Sequence, residues 1–204
     1  ELSSAERNLC SAGYKNVGNR RAELRVLGGL AAPEDVKSTD KTVLPSVHKY
    51  RTIVEHELTG YCKRILKILD EHLLLNVKSI EAKVFYLKMK GDYNRYLCEF
   101  SVDSQPYVEI ARSSYDEADN LARNNLASTN PIRVGLHLNV SVFYHEILGK
   151  HERAIELANR AFEDAIANID NVNEENYKDC TLIMQLLRDN ITLWSSEVEN
   201  DDYS

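Results

Sequence analysis

Residues 130–144 of the 204-residue chain read NPIRVGLHLNVSVFY, and their pattern indicates the fold class. Asn130 is a good N-cap, because its side chain accepts hydrogen bonds from first-turn amides, and Pro131 fits the first helical position, where no N–H is needed. Apolar residues then recur at steps of three and four as far as Leu148, and Gly149 ends the pattern. The stretch therefore predicts a helix over 131–148 that packs one side against other helices.

On either side of this helix, the same rules predict six more helices in total and no strand. On the carboxy-terminal side they are 151–169 and a helix capped by Asn173 that runs through Trp194. On the amino-terminal side they are 3–31, 47–75, 79–101 and 106–126, the first opened by a Ser3/Glu6 capping box and the last capped by Asp103 or Ser104, with a loop at 31–46. Short connections favour antiparallel neighbours, so the predicted fold class is an all-α antiparallel array over residues 1–196.

Composition narrows the possible functions. Eight glycines and four prolines are few for this length, which favours long helices over hairpins and glycine-rich phosphate loops. A net charge of -7 disfavours general binding of nucleic acid. No apolar run reaches the roughly 18 residues of a membrane span, so no membrane partner is expected. Residues 197–204 are acidic and are predicted to form a mobile tail.

The cysteines are far apart and form no C-x-x-C pair, which predicts reduced thiols and a cytoplasmic location. The usual signatures of catalysis and metal binding are absent from the sequence, and His56 and His145 both lack a second histidine four residues on. We therefore expect neither an enzyme nor a cofactor, and both histidines are interpreted as ordinary polar-face residues.

Basic residues share helix faces in two places. Arg21 and Arg25 are four residues apart in the first predicted helix, and Lys88 and Arg95 are seven apart in the third. If these faces oppose each other, the guanidinium groups can bind a phosphate, with the Tyr96 hydroxyl as a further donor. The alternative is a set of solvated charges paired with Glu23, Asp92 or Glu99.

An asparagine interrupts the apolar stripe of two later helices. Asn139 lies among Leu138 and Val142, and Asn190 lies among Leu186 and Leu193. A side-chain amide offers both a donor and an acceptor, so the two residues are suited to hold the backbone of an extended peptide. The alternative is a pair of buried amides that are satisfied within the core.

Three long segments closely resemble the 14-3-3 protein family. They are VFYLKMKGDYNRYL at 84–97, NPIRVGLHLNVSVFY at 130–144 and YKDCTLIMQLLRDNITLW at 177–194, and the resemblance extends from residue 1 to about residue 196. It implies a nine-helix antiparallel protomer, of which seven helices are expected in this sequence, and an amphipathic groove that binds phosphoserine or phosphothreonine in partner proteins. It implies no catalysis.

The resemblance also assigns residues to the groove. The implied phosphate-binding residues are Arg21, Arg95, Tyr96, Lys15 and Lys88. The implied peptide-binding residues are Asn139, Asn190, Glu146, Leu138, Val142, Leu186, Leu193 and Trp194.

This sequence departs from the family pattern in ways that affect both the site and the dimer. Lys15 and Arg21 are six residues apart where the family has seven, which leaves their side chains roughly 120° apart on a regular helix. Either the helix is deformed near Gly18, or Tyr14 takes the facing position. The family is usually dimeric, but Glu23 and Ile53 replace residues that suit its interface, which puts a homodimer in question.

Two functions follow from these observations. The first is an adaptor that binds phosphorylated segments of partner proteins and regulates those partners. The alternative is a helical scaffold that binds acidic or amphipathic peptides without strict dependence on phosphate.

The short spacing generates a prediction. We expect Lys15→Ala to weaken binding of a phosphopeptide less than Arg95→Ala, because Lys15 is turned away from the face that carries Arg21. Fluorescence polarisation with one labelled phosphopeptide measures both losses, and a larger loss for Lys15→Ala contradicts the prediction.

Overall fold

The computed structural model describes residues 2–14, 16–30 and 44–201, and over these residues the protein is helical and contains no strand. The all-α prediction is confirmed. The helices are α1 (Ser4–Gly13), α2 (Asn16–Leu30), α3 (Leu44–Ile68), α4 (Ile80–Cys98), α5 (Gln105–Asn125), α6 (Pro131–Val142), α7 (His151–Ile166) and α8 (Glu174–Asp201). One π-helical turn follows α3 at Leu69–Leu73 and another follows α6 at Phe143–Ile147, and a 3₁₀ turn follows α7 at Ile169–Asn171.

The first predicted helix is two helices. Its capping box is present, since Ser3 Oγ accepts from the Glu6 amide and the Glu6 carboxylate accepts from the Ser3 amide. The helix then ends at Gly13, because the Tyr14 amide bonds three residues back to Ser11 O at 3.2 Å. The deformation expected near Gly18 therefore lies earlier in the chain, and Gly18 is inside α2.

Other boundaries differ more modestly from the predictions. The second predicted helix starts at Leu44, since Pro45 is tolerated in the first turn, where its missing N–H has no helical partner. The last helix runs to Asp201 and so includes much of the segment assigned to a tail. The mobility of residues 197–204 stays a prediction. Residues 31–43, most of the predicted loop, lie outside the described residues.

The chain divides into two compact units. The amino-terminal unit contains α1 to α3, and the carboxy-terminal unit contains α4 to α8. In the first unit, α2 and α3 are joined by a polar network: Glu23 accepts hydrogen bonds from Arg20 and from the Tyr50 hydroxyl, and Arg20 also forms an ion pair with Glu57 at 2.9 Å. The homodimer stays a prediction.

The carboxy-terminal unit carries the larger core. Two of its predicted caps are present, with Asn130 Oδ1 accepting from the Ile132 amide at 2.9 Å and Asn173 Oδ1 accepting from the Asn176 amide at 2.8 Å. Ser104 stands at the N-cap of α5, but its side chain makes no capping hydrogen bond. The buried faces of α6, α7 and α8 share one apolar cluster: Val134, Ala154, Ala158, Ala161, Ala165, Cys180, Met184, Leu187 and Trp194. Alanines on α7 let the neighbouring helices approach closely.

Helices α4 and α5 meet where a glycine faces an aromatic ring. A Cβ added to Gly91 would lie 2.5 Å from Cε1 of Tyr115, whose side chain is fully buried. The glycine therefore makes room for the ring and fixes how α5 packs on α4. Among the described helices, none is both long and apolar enough to cross a membrane.

This contact predicts the effect of adding one methyl group. Gly91→Ala forces the buried Tyr115 ring to move, which costs about 1–3 kcal/mol, and the helix-propensity gain of roughly 0.5–1 kcal/mol offsets only part of that cost. The matched control is Gly135→Ala in α6, where the nearest atoms lie at ordinary contact distances of 3.7 and 3.8 Å. Urea denaturation should show a loss of stability for Gly91→Ala and none for Gly135→Ala, and equal stabilities would contradict the packing argument.

Candidate functional site

A buried carboxylate joins α4, α5 and α6 in the carboxy-terminal unit. Asp92 Oδ2 accepts from Lys88 Nζ at 2.8 Å, and Oδ1 accepts both from the Tyr115 hydroxyl and from Asn139 Nδ2 at 2.7 Å. Arg95 Nε in turn donates to the Tyr115 hydroxyl oxygen at 3.4 Å. Asp92 thereby brings together three residues that the sequence assigned to the site, namely Lys88, Arg95 and Asn139.

The charges in this network stabilise one another. Burial alone would raise the pKa of Asp92, but the nearby charges of Lys88 and Arg95 and the hydrogen bonds from Lys88 and Tyr115 outweigh it and hold this pKa below its usual range. Burial likewise acts to lower the pKa of Arg95, and the surrounding tyrosines and Asp92 more than compensate, so that the pKa is raised. Both groups are therefore charged at neutral pH.

Arg95 is the most enclosed cation of the site. Its side chain is 5% exposed, and its guanidinium carbon lies 4.8 Å from the centre of the Tyr96 ring. Its Nη1 atom lies 3.8 Å from a carboxylate oxygen of Glu99 and 3.8 Å from one of Glu146. These distances exceed those of hydrogen bonds, so the two carboxylates balance the charge without occupying the N–H groups closely.

The alternative of solvated, paired charges is therefore correct only in part. Lys88 does pair with Asp92, as that interpretation expected, but the pair is largely buried: the Lys88 side chain is 22% exposed and that of Asp92 is 8% exposed. A buried ion pair with further hydrogen bonds fixes the geometry of its members in a way that a surface pair does not.

Apolar residues of α6 and α8 lie beside this network. Leu138 and Val142 are half-buried against the core cluster that contains Trp194. On α8, Leu186 and Leu193 are exposed by 46% and 55%, whereas Trp194 is buried. Asn190 lies between the two leucines in the sequence and is half-buried. The leucines thus offer surface to a ligand, while Trp194 belongs to the core cluster.

Two residues of this region, Tyr115 and Leu182, were not predicted from the sequence, and Asp92 was expected only as the partner of a solvated charge. The Lys88–Asp92 pair lies within α4, but the hydrogen bonds of Tyr115 and Asn139 to Asp92 and of Arg95 to Tyr115 join different helices, so no spacing within one helix could identify them. Leu182 is 63% exposed and lies four residues before Leu186, which places it on the same face of α8 as Leu186 and Leu193. The four-residue spacing of Leu182 and Leu186 therefore did indicate in the sequence that the two residues share a face.

Two predicted residues belong to the other compact unit. Arg21 is half-buried on α2, and Lys15 lies outside the described residues. Their participation in a phosphate site stays a prediction.

Known proteins are similar in sequence to this chain over nearly its whole length. The family model described as "14-3-3 protein" matches residues 1–195. A 14-3-3-like protein of Chlamydomonas reinhardtii is 51% identical over 203 residues, which cover 98% of this chain and 78% of that protein. The 14-3-3-like protein RA215 of Solanum tuberosum is 50% identical, with 98% and 80% covered. 14-3-3 protein 3 of Entamoeba histolytica is 49% identical, with 99% and 85% covered.

Removal of the charge on Asp92 tests its role in the network. Asp92→Asn leaves Lys88 without its buried counter-ion and removes one of the negative charges near Arg95. This should lower the free energy of unfolding by about 3 kcal/mol, the low end for breaking a buried pair because Lys88 keeps some contact with solvent. The matched control is Asp179→Asn on the exposed face of α8, where a change of about 0.5 kcal/mol or less is expected.

The pH dependence of the stability difference between the wild type and Asp92→Asn gives a second measure of the role of Asp92. Because the folded pKa of Asp92 is lowered, its contribution is complete above the ordinary aspartate value of about 3.9 and declines as the pH falls below it. Urea denaturation of the wild type and of Asp92→Asn between pH 7 and pH 3 should therefore show a smaller difference in unfolding free energy at the acid end. A gap that stays constant over this range would contradict the assignment.

Proposed function

Because this chain belongs to the 14-3-3 family, whose members are adaptors that bind segments of partner proteins, we propose that it recognises phosphoserine or phosphothreonine within those segments. The observation that carries the proposal is the enclosed Arg95 guanidinium, with Nη1 no closer than 3.8 Å to either neighbouring carboxylate. A phosphate oxygen forms charge-assisted bonds to a guanidinium at about 2.7–2.9 Å, so it binds more closely than either resident carboxylate.

The rest of the peptide is held by α6 and α8. Asn139 donates its Nδ2 group to Asp92, which leaves its carbonyl oxygen to accept from a peptide N–H. Asn190 serves the same purpose on α8. The exposed leucines of α8 and the apolar residues of α6 contact the side chains that flank the phosphorylated residue, and Lys88, Tyr96 and Glu146 provide the polar edge of the site.

The family resemblance also assigns Arg21 and Lys15 to the phosphate, and both remain part of this proposal as further positive charges. The partners are thus phosphorylated proteins of the cytoplasm, and neither a metal nor a cofactor takes part. The acidic surface of the chain disfavours nucleic acid as a competing ligand.

Phosphate dependence is the direct test of this function. One labelled peptide is compared with and without its phosphate by fluorescence polarisation, and we expect the phosphorylated form to bind at least about 100-fold more tightly, since several charge-assisted bonds are lost without it. Equal affinity would overturn the proposal and favour the alternative of a scaffold for acidic or amphipathic peptides.

Substitution of Arg95 tests whether this selectivity for phosphate arises at the proposed site. Arg95→Lys keeps the charge but loses the planar fork, and we expect it to weaken phosphopeptide binding by about 10-fold or more. The matched control is Arg153→Ala on α7, whose side chain is exposed and pairs with Glu156 at 2.8 Å. Thermal unfolding followed by circular dichroism verifies that each variant is folded, and an unchanged affinity for folded Arg95→Lys would contradict the assigned role.

A further inference from the structure

A second cluster of side chains surrounds His145, outside the Asp92 network. His145 lies in the π-helical turn after α6, and its ring stacks on the Trp194 indole of α8, with centroids 4.5 Å apart and planes 14° apart. The His151 ring of α7 meets it edge-on at 4.4 Å, and Glu197 Oε2 of α8 lies 3.2 Å from His145 Nε2. The cluster thus joins the turn to two helices. The sequence analysis interpreted His145 as an ordinary polar-face residue, and its enclosure corrects that interpretation.

The surroundings of His145 have opposing effects on its protonation. Glu197 from α8 and Glu146 from the same turn favour the imidazolium, whereas burial and His151 from α7 favour the neutral ring. Burial and His151 prevail, so the pKa of His145 is lowered. At neutral pH the ring that stacks on Trp194 is therefore uncharged.

This cluster adjoins the residues of the proposed peptide site. The next residue in the turn, Glu146, lies 3.8 Å from Arg95 Nη1. Leu193 and Asn190 lie on α8 within one turn of Trp194. Any shift of the His145 ring against Trp194 therefore acts on this part of α8 and on the turn that carries Glu146.

We propose that His145 is a positioning residue for α8: the neutral ring holds Trp194 and the helical turn around it in place, and protonation of the ring weakens that hold. The inference rests on the proposed function only in its consequence for peptide affinity. The sign follows from linkage. A histidine whose folded pKa is lowered contributes stability that is complete above the ordinary value of about 6.5 and that declines as the pH falls through the folded pKa.

Protonation of His145 can be followed by the fluorescence of Trp194, the single tryptophan of the chain. An imidazolium in contact with an indole quenches its fluorescence, whereas a neutral imidazole does so only weakly. We expect the emission of the full chain without peptide to fall reversibly between pH 8 and pH 5, with a midpoint below 6.5. In the matched control His145→Phe, the aromatic stack remains and the titrating group is gone, so the emission should not change over this range.

Two further variants should move the midpoint in opposite directions. His151→Gln removes a neighbour that opposes protonation of His145 and should raise the midpoint. Glu197→Gln removes the neighbouring carboxylate that favours the imidazolium and should lower the midpoint. A role in packing alone would produce neither shift. A transition that persists in His145→Phe, or a midpoint that neither variant moves, would overturn the proposal.

Peptide affinity reports the consequence for the site. The phosphate itself takes up a proton near pH 6, so affinity is measured at pH 7.5 and pH 5.5 for the wild type and for His145→Phe, and the two ratios are compared. We expect the wild type to lose at least about 3-fold more affinity on acidification than the variant. Equal losses would overturn this consequence, whereas a phosphopeptide that fails to bind at either pH would overturn the proposed function and leave the fluorescence test intact.

Discussion

A positive charge inside a helical protein requires a negative charge at close range, and Asp92 meets that requirement for the carboxy-terminal unit. Its two oxygens accept three hydrogen bonds, from Lys88, Tyr115 and Asn139. Each donor is on a different helix, so one carboxylate determines how α4, α5 and α6 are placed against one another. Without it, Lys88 would lose its buried counter-ion, and the enclosed Arg95 would keep only Glu99 and Glu146, each 3.8 Å away, to balance its charge.

The same network explains why the local packing tolerates little change. Tyr115 reaches Asp92 only because Gly91 leaves room for the ring beside the α4 backbone. On its other side the ring packs against Phe143, with centroids 5.5 Å apart, at the start of the turn that carries His145 and Glu146. A small displacement of Tyr115 is thus passed both to the Arg95 side chain and to that turn. Rigid packing and the electrostatics of the site depend on the same side chains.

Sequence reasoning succeeded where the determining interactions are local. The caps at Ser3, Asn130 and Asn173 involve neighbours within three residues, and helical periodicity reports which residues share a face. It failed where interactions join distant segments. The pairing of Asp92 with Asn139 spans 47 residues, and the stacking of His145 on Trp194 joins two helices that periodicity treats separately. The break after Gly13 depends on backbone geometry that the apolar pattern does not encode.

The Arg95 guanidinium can favour phosphate over other anions even though two carboxylates already lie near it. Glu99 and Glu146 stand 3.8 Å from Arg95, so an incoming anion must compete with two negative charges that are held in place by the fold. An acidic side chain brings one negative charge and gains little by that exchange. A phosphate brings nearly two, with three acceptor oxygens for a planar donor. Under the proposed function, selectivity therefore comes from the greater charge and the three acceptor oxygens of the phosphate, whereas the resident carboxylates set the repulsion that any anionic ligand must overcome.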